Sequence, residues 1–469
     1  MIPRRFTQRS GAAPLTVLAL LVASGGYWLY ATPPRRGHAT VTVDRQITYQ
    51  TMHGWETTTY TAGELPNAAL FQPHVFDLAI NDLGISRVRL EVRSGAENSK
   101  DTWLEYGQQH DDNPEWRAVR YATVNDNDDA RTINWNGFKF SELDDNIDHI
   151  VNPMRAVAAA RGDRLFVNLN YVAFTQQNGP GTSYVHGNPD EYAEFILAAF
   201  MHISGKYGWV PDALDLILEP DNTVPWGGGR QIGEAMVKAA QRLKEAGFTP
   251  KFIGPSTTRM SNAAAYFEDM MTVPGALPLM YELSYHRYSG VSSRALRNIR
   301  TTAERRRVST AMLEHIGAGY EELHEDLTVG GNSAWQQFTL AGGRDDGASY
   351  YTIDDSDPQH PRVALAERTK FLRQYFKFIH AGATRVAADT SSRWFSPVAF
   401  VNPHGKVVVV VKSDAAGDMA IRGLPAGAYD ITYTTRDIFS RSLPRVVLKQ
   451  NEPLTAEIPA KGVLTVYGD

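Results

Sequence analysis

Along most of the chain, short apolar runs alternate with longer segments whose apolar residues recur at helical spacing. Residues 85–92, 165–172, 213–218, 251–257, 280–288 and 309–314 are runs of strand length bounded by Gly, Pro, Asn or Asp. Between them, 71–83 carries Val75, Phe76, Ala79, Ile80 and Leu83 on one helical face and stops at Gly84. Segments 141–160, 188–205 (opened by Asn188 and Pro189), 231–246, 262–271, 293–306 and 320–326 keep the same beat. A strand at 47–55 opens the series, one at 334–340 is the eighth, and an amphipathic helix at 363–380 closes it. Strict alternation predicts a parallel sheet with helical crossovers, and eight units are the count of a closed (β/α)8 TIM barrel in the α/β class. A doubly wound open sheet is the alternative. One interruption, about 93–136, is rich in Asp, Asn and Glu; Trp103, Tyr106, Trp116, Tyr121 and Trp135 argue that it is ordered.

After Arg393 the pattern changes to short strands at 398–402, 406–412, 419–421, 428–434, 445–448 and 462–467, separated by Gly, Pro, Asn and Asp. That is the pattern of a small antiparallel β-sandwich. The expected division is a leader and linker at 1–38, a barrel at 46–384, and a sandwich at 385–469 completed by residues 39–45.

Composition narrows the function classes. The net charge of −5 over 469 residues, with no long basic run, leaves no electrostatic footprint for a nucleic-acid partner. The chain has no cysteine, which excludes disulfides, thiolate nucleophiles and Cys-based metal sites. Arg4, Arg5 and Arg9 precede an apolar run at residues 12–31, closed by Pro33, Pro34, Arg35 and Arg36. Its first half has the length of a signal-peptide core, with Ala23, Ser24 and Gly25 for cleavage. The whole run is long enough to span a bilayer, with Tyr27, Trp28 and Tyr30 placed as interfacial anchors. Either reading places the body outside the cytoplasm: secreted, periplasmic, or anchored to the membrane through residues 12–31.

In a barrel of this kind the site lies at the C-terminal ends of the strands. Those ends carry Trp55 and Glu56, Arg89 and Glu91, Asn168 and Asn170, Glu219 and Asn222, Ser256, His286 and Tyr288, Glu314, and Trp335. Aromatics, amides, an arginine and carboxylates suit a polyhydroxylated ligand. Glu219 and Glu314, on the fourth and seventh strands, are expected to face each other across the mouth. Glycoside hydrolysis needs such a pair, one carboxylic acid and one carboxylate with pKa values held apart. Glu219, flanked by Leu216, Ile217, Leu218 and Pro220, is the expected acid; Arg89 and Tyr288 are expected to hold Glu314 ionised.

These motifs resemble the clan A glycoside hydrolases. Glu219-Pro220 matches the acid/base motif on strand four, Leu313-Glu314 the nucleophile on strand seven, His286-Arg-Tyr288 the strand-six motif, and Arg89 the strand-two arginine. The chain is most similar to glycoside hydrolase family 30 over most of residues 40–469. Tyr375-Phe-Lys-Phe-Ile-His-Ala-Gly-Ala-Thr-Arg385, Ser396-Pro-Val-Ala-Phe-Val-Asn-Pro-His-Gly405 and Gly462-Val-Leu-Thr-Val-Tyr-Gly468 carry the C-terminal part of the likeness. The resemblance implies a retaining mechanism with Glu219 as acid/base and Glu314 as nucleophile. One position departs: the clan's Asn before the acid/base, which binds the sugar 2-hydroxyl, is Leu218 here. Asn222 or Asn170 is the expected substitute.

Plainer readings stand beside these. His286 and Tyr288 also fit structural roles, and Trp55, Trp226 and Trp335 fit either sugar stacking or packing. The run Asn125-Asp-Asn-Asp-Asp129 lacks the spacing, the Gly and the closing Glu of a calcium loop, so a solvated acidic loop is expected there. No metal and no cofactor are expected. The favoured function is an endo-β-glycanase acting on a carbohydrate substrate. The alternatives are an exo-acting uronidase or arabinofuranosidase on the same barrel, and a non-catalytic carbohydrate-binding protein.

Overall fold

The computed structural model describes residues 36–106, 113–223 and 226–468. The apolar run at 12–31 lies outside them. No helix of the described residues is long and apolar enough to cross a membrane.

Eight parallel strands close into a barrel: β2 (Gly54–Thr58), β3 (Ile85–Arg93), β4 (Phe166–Val172), β5 (Ala213–Asp215), β6 (Lys251–Arg259), β7 (Met280–Ser289), β8 (Ser309–Glu314) and β9 (Asn332–Gln336). The preceding strand β1 (Arg36–Thr51) belongs elsewhere. Period-two alternation sorts each barrel strand into two sets. Val88, Leu90 and Val92 of β3 join the apolar shell shared with the helices, while Arg87 and Arg89 lie in a buried polar column. At the foot of that column Arg87 bridges Glu56 (2.6 Å) and Glu282 (2.6 and 2.9 Å). Burial pushes the Glu282 carboxyl up, but Arg87 and His53 outweigh it and hold the group at about 2. A fully buried ion pair has excellent geometry here, which is the condition under which its attraction offsets desolvation. At Gly84 the chain turns with φ 88° against the C-terminal helix, where an added Cβ would meet the Phe376 carbonyl at 2.6 Å.

Three short strands follow the barrel, β10 (Thr339–Gly342), β11 (Ser349–Asp354) and β12 (Arg362–Leu365), and form a small sheet of their own. The remaining strands are β13 (Thr384–Thr390), β14 (Phe395–Val401), β15 (Val407–Ser413), β16 (Ala416–Arg422), β17 (Gly427–Thr435), β18 (Arg441–Leu448), β19 (Leu454–Ile458) and β20 (Gly462–Gly468). With β1 they make a nine-stranded sheet in the order β18-β17-β20-β15-β14-β13-β1-β16-β19. The all-valine run of β15 explains its place. Val408 and Val410 pack into the barrel-side core, while Val407, Val409 and Val411 pack into the core of the sheet's other face. Both faces are covered, so the run need not alternate with polar residues.

The structure redraws several boundaries. The strand expected at 47–55 is two elements: residues up to Thr51 continue β1 in the outer sheet, and the barrel begins at Gly54. The eighth barrel strand stops at Gln336, because the chain departs into β10. The helix expected at 363–380 is Glu367–Phe376, preceded by β12. The helix at 141–160 is present, with a π-helical stretch at Ile147–Val151. The 93–136 interruption holds short helices at Thr102–Tyr106 and Pro114–Val119.

Candidate active site

Beyond the three residues of β5, the chain stays clasped between its neighbours. Leu216 N donates to Ile253 O (3.1 Å), Leu218 N to Tyr171 O (2.9 Å) and Glu219 N to Ser256 O (3.1 Å). Glu219 then adopts a left-handed conformation (φ 52°, ψ 59°), which costs a non-glycine residue about 1–3 kcal/mol. A short 3-10 turn, Pro220–Asn222, follows. Asn222 Nδ2 donates to Glu219 Oε2 (3.2 Å), and the His286 ring places Nδ1 2.9 Å from Glu219 Oε1.

Glu314 ends β8. Tyr288 Oη donates to its Oε1 (2.8 Å), and Arg89 Nη1 sits 2.7 Å from its Oε2, so both oxygens are held. Arg89 is fully buried and also donates to Glu91 Oε1 (3.1 Å). Its burial disfavours the charge, but Glu314 and Glu91 outweigh that and raise its pKa further. One ligand atom from each of Glu219, His286 and Glu314 lies within 4.8 Å of the others. Two carboxylates and an imidazole could ligate a metal ion; the Arg89 guanidinium already supplies a positive charge beside Glu314 Oε2. The arrangement is better suited to moving protons.

Electrostatics within the trio are uneven. Burial pushes Glu219 up, but hydrogen bonds and charge from His286, with Asn222 and Thr258, outweigh it and hold the carboxyl below its ordinary value. Burial pushes His286 down, and Glu314 and Glu219 more than reverse that, so the imidazole is raised. This corrects the argument from apolar flanks. Leu216 and Ile217 are buried in the barrel shell, while the Glu219 carboxylate meets His286 and Asn222 instead. Burial and Glu314 together push the Tyr288 phenol well up.

Glu314 and Arg89 line a cavity of about 360 Å³ together with Tyr60, Glu91, Arg93, Tyr121, Leu218 and Phe338. Leu218 packs with Tyr121, Val172 and Phe174, so the wall beside Glu219 is apolar. A larger cavity of about 540 Å³ shares Tyr60, Glu91 and Arg93 with the first and extends to Trp103 and Trp116. Tyr60, Arg93 and Tyr121 were missed by strand-end reasoning because they lie on rim loops or at the upper edge of β3.

The structure thus brings Glu219, Glu314, Arg89, Asn222, His286 and Tyr288 together. Asn170 is fully buried in register between Glu91 and Asp215, its amide atoms without hydrogen-bond partners, away from solvent. The three tryptophans do not line the mouth, which corrects their reading as sugar-stacking residues. Trp55 stacks on Phe376 (4.3 Å) and donates to Ile379 O (2.8 Å); Trp335 donates to Asp326 (2.9 Å). Each neighbours an inward residue, Glu56 or Gln336, and alternation therefore turns the indole outward. Trp226 is 2% exposed, packed edge-on to Tyr192.

A closed eight-stranded barrel with an attached β-sheet domain is a fold shared with solved glycoside hydrolases. The chain superposes on the family 30 endoxylanase of Clostridium papyrosolvens C71 with a TM-score of 0.65 at 16% identity, covering 92% of this chain and 100% of that one. A subfamily 8 xylanase of family 30 from Clostridium acetobutylicum gives 0.66 at 16% identity, over 92% and 99%. An endo-β1,6-glucanase gives 0.64 at 15%, over 92% and 94%. The fold is that of family 30 glycoside hydrolases. No family model and no curated protein sequence matches the chain.

Proposed function

We propose that the protein is a retaining glycoside hydrolase that cuts β-glycosidic bonds within a polysaccharide or oligosaccharide, with Glu219 as acid/base and Glu314 as nucleophile. The observation that carries this is the convergence of Glu219, His286 and Glu314 within 4.8 Å at the C-terminal mouth of a closed barrel. Direct attack by a carboxylate requires a pair about 5–5.5 Å apart, whereas a pair that admits water between stands about 6.5–9.5 Å apart. The short spacing favours attack by Glu314.

In the first step a Glu314 oxygen bonds to the anomeric carbon as the glycosidic bond breaks, and Glu219 gives its proton to the departing oxygen. In the second, Glu219 takes a proton from water, whose oxygen displaces Glu314. Arg89 and Tyr288 fix the nucleophile's orientation, a positioning effect whose value lies in the near-attack geometry. His286 holds a proton against Glu219 and returns it when substrate displaces solvent. The neutral pair, with Glu219 protonated and His286 uncharged, is the reactive form.

Two adjoining cavities suit several linked sugars, which favours endo action; structures of similar fold include an endoxylanase and an endo-β1,6-glucanase. The export signal read at residues 12–31 agrees with a likeness to a conserved exported protein of Bacteroides fragilis (TM-score 0.66, 12% identity). In a polysaccharide panel, Glu314→Gln abolishes product release and the glycosyl-enzyme adduct in intact-mass spectra. Glu219→Ala slows natural linkages on the order of 10²–10⁴-fold while sparing activated aryl glycosides. Oligosaccharide products mark endo action, and monosaccharides alone mark an exo enzyme. Full turnover by Glu314→Gln overturns the proposal.

A further inference from the structure

Val88, Leu90 and Val92 of β3 belong to the apolar shell, so alternation puts Arg89, Glu91 and Arg93 together on the other face. At about 3.3 Å per residue, the step from Arg89 to Arg93 climbs roughly 13 Å beyond the contact with Glu314. Glu91 stands between them and accepts from Arg89 Nη2 at 3.1 Å. Arg93 is buried and held on several sides. It donates to Tyr60 Oη (2.9 Å), pairs with Glu142, lies 3.5 Å from Glu91 Oε2 and covers the Trp116 ring at 5.4 Å. Among the described residues its Nε has no hydrogen-bond partner. Tyr60, Glu91 and Arg93 line both the cavity beside Glu314 and the larger one of about 540 Å³.

The larger cavity has the surfaces that a sugar ring needs. Trp103 lines it, half-buried, and meets the buried Trp116 edge-on (5.8 Å, 62°). Trp116 is flanked in turn by the guanidinium groups of Arg93 and Arg120 (5.4 and 4.6 Å), which hold the aromatic pair in place. Asp101 accepts from Leu104 N (3.1 Å) and Ser141 Oγ (2.6 Å), and so pins the helix Thr102–Tyr106 that carries Trp103. A fixed aromatic face with a few placed polar groups is the make-up of a small-molecule pocket, and the volume lies within the usual range of roughly 300–1,000 Å³. Among its charged lining residues, Glu64, Glu91, Glu142 and Asp145 outnumber Arg93 and His149. An anionic sugar is repelled there, whereas hydroxyl groups find carboxylate acceptors.

We propose that the larger cavity is a second sugar subsite for an uncharged sugar, reached from Glu314 along Arg89, Glu91 and Arg93, with Trp103 as its stacking face. The inference rests on the glycoside hydrolase reading above and extends it to a residue-level account of chain length. Glu91 and Arg93 border both cavities, so each serves hydroxyl groups of the two neighbouring sugars. A chain long enough to reach Trp103 gains contacts that a single sugar beside Glu314 lacks.

The test uses the full chain carrying Glu314→Gln, titrated by calorimetry with xylo-oligosaccharides and β1,6-linked gluco-oligosaccharides of increasing length. In at least one series the affinity rises by roughly tenfold once the chain reaches the second cavity, the scale of one aromatic stacking contact. Trp103→Ala removes the rise, and Trp103→Phe, which keeps a ring, retains most of it. Ala69→Trp, at an exposed helix position that lines the cavity, fills the space and removes the rise without touching the aromatic pair. Oligogalacturonates, charged at every sugar, show no rise. Affinity that ignores length in both neutral series overturns the proposal, as does a rise that survives both Trp103→Ala and Ala69→Trp, or one as large with oligogalacturonates. Product release by the wild type is followed in parallel. Turnover without the length effect overturns the subsite alone, and the length effect without turnover overturns the hydrolase reading while the subsite stands.

Discussion

His286 Nδ1 and Glu219 Oε1 stand 2.9 Å apart, with the imidazole raised and the carboxyl lowered from their ordinary values. The two groups share one proton, whose loss belongs to the pair and not to either side chain. In the wild type that proton leaves only as pH rises through the raised imidazole value. Removing the imidazole leaves Glu219 to hold the proton alone as a carboxylic acid. His286→Gln therefore moves the alkaline limb of the kcat/KM profile to lower pH. A limb that moves to higher pH would show instead that His286 acts only as a fixed positive charge.

Arg89 makes a buried contact to Glu314 that no other cation duplicates among the described residues, at 2.7 Å. Arg89→Lys keeps a charge but loses the planar fork that reaches Glu314 and Glu91 together. The contact is a close ion pair, and misplacing the carboxylate it holds by about 1 Å lowers kcat roughly 10- to 100-fold. With Glu314 as the proposed nucleophile, the contact orients that carboxylate and KM changes little. A rise in KM at constant kcat would place Arg89 on the substrate.

Much of this was legible from periodicity. A strand-length run that ends on Glu219, and another on Glu314, placed both carboxylates at one mouth once eight alternating units implied a barrel. The tryptophans failed for a reason also present in the sequence: Trp55 and Glu56 cannot both face inward, nor can Trp335 and Gln336. Strand-end position alone does not choose between the faces; the polar neighbour does. The membership of residues 46–51 was not legible, because a strand's partners are set by contacts with distant segments, here β13 and β16. The rim residues Tyr60 and Tyr121 lie in loops whose course no periodicity describes.

Leu218, where the resemblance to clan A implies a sugar-binding amide, packs with Tyr121, Val172 and Phe174. The apolar wall gives no hydrogen bond to a sugar hydroxyl on that side. Leu218→Asn introduces an amide into this cluster and costs about 1–3 kcal/mol of stability, read from urea unfolding. In return it shifts preference, lowering kcat/KM on the natural substrate while raising it on xylo- or gluco-configured aryl glycosides with a free 2-hydroxyl. Unchanged preference would show that Leu218 does not face the sugar.

Below the trio, Asp215 is fully buried and accepts from Ser256 Oγ at 2.9 Å on both oxygens, with Ser284 Oγ 2.7 Å from Ser256 Oγ. Burial pushes its carboxyl up to about 7, against the opposing pull of Ser256, His286 and Arg89. A folded-state value above the ordinary 3.8 means that the folded chain holds the proton more tightly. Its contribution is complete below pH 3.8 and is lost as pH rises through about 7. Asp215→Asn keeps the shape and an acceptor for Ser256 but carries no titrating proton. The unfolding free energy of wild type minus variant therefore falls by on the order of 4 kcal/mol between about pH 4 and pH 8. Urea titrations across that range read the difference directly, cancelling the titration of every other group that the two proteins share. A difference that stays flat would mean that Asp215 is ionised throughout, its charge balanced by Arg89 and His286.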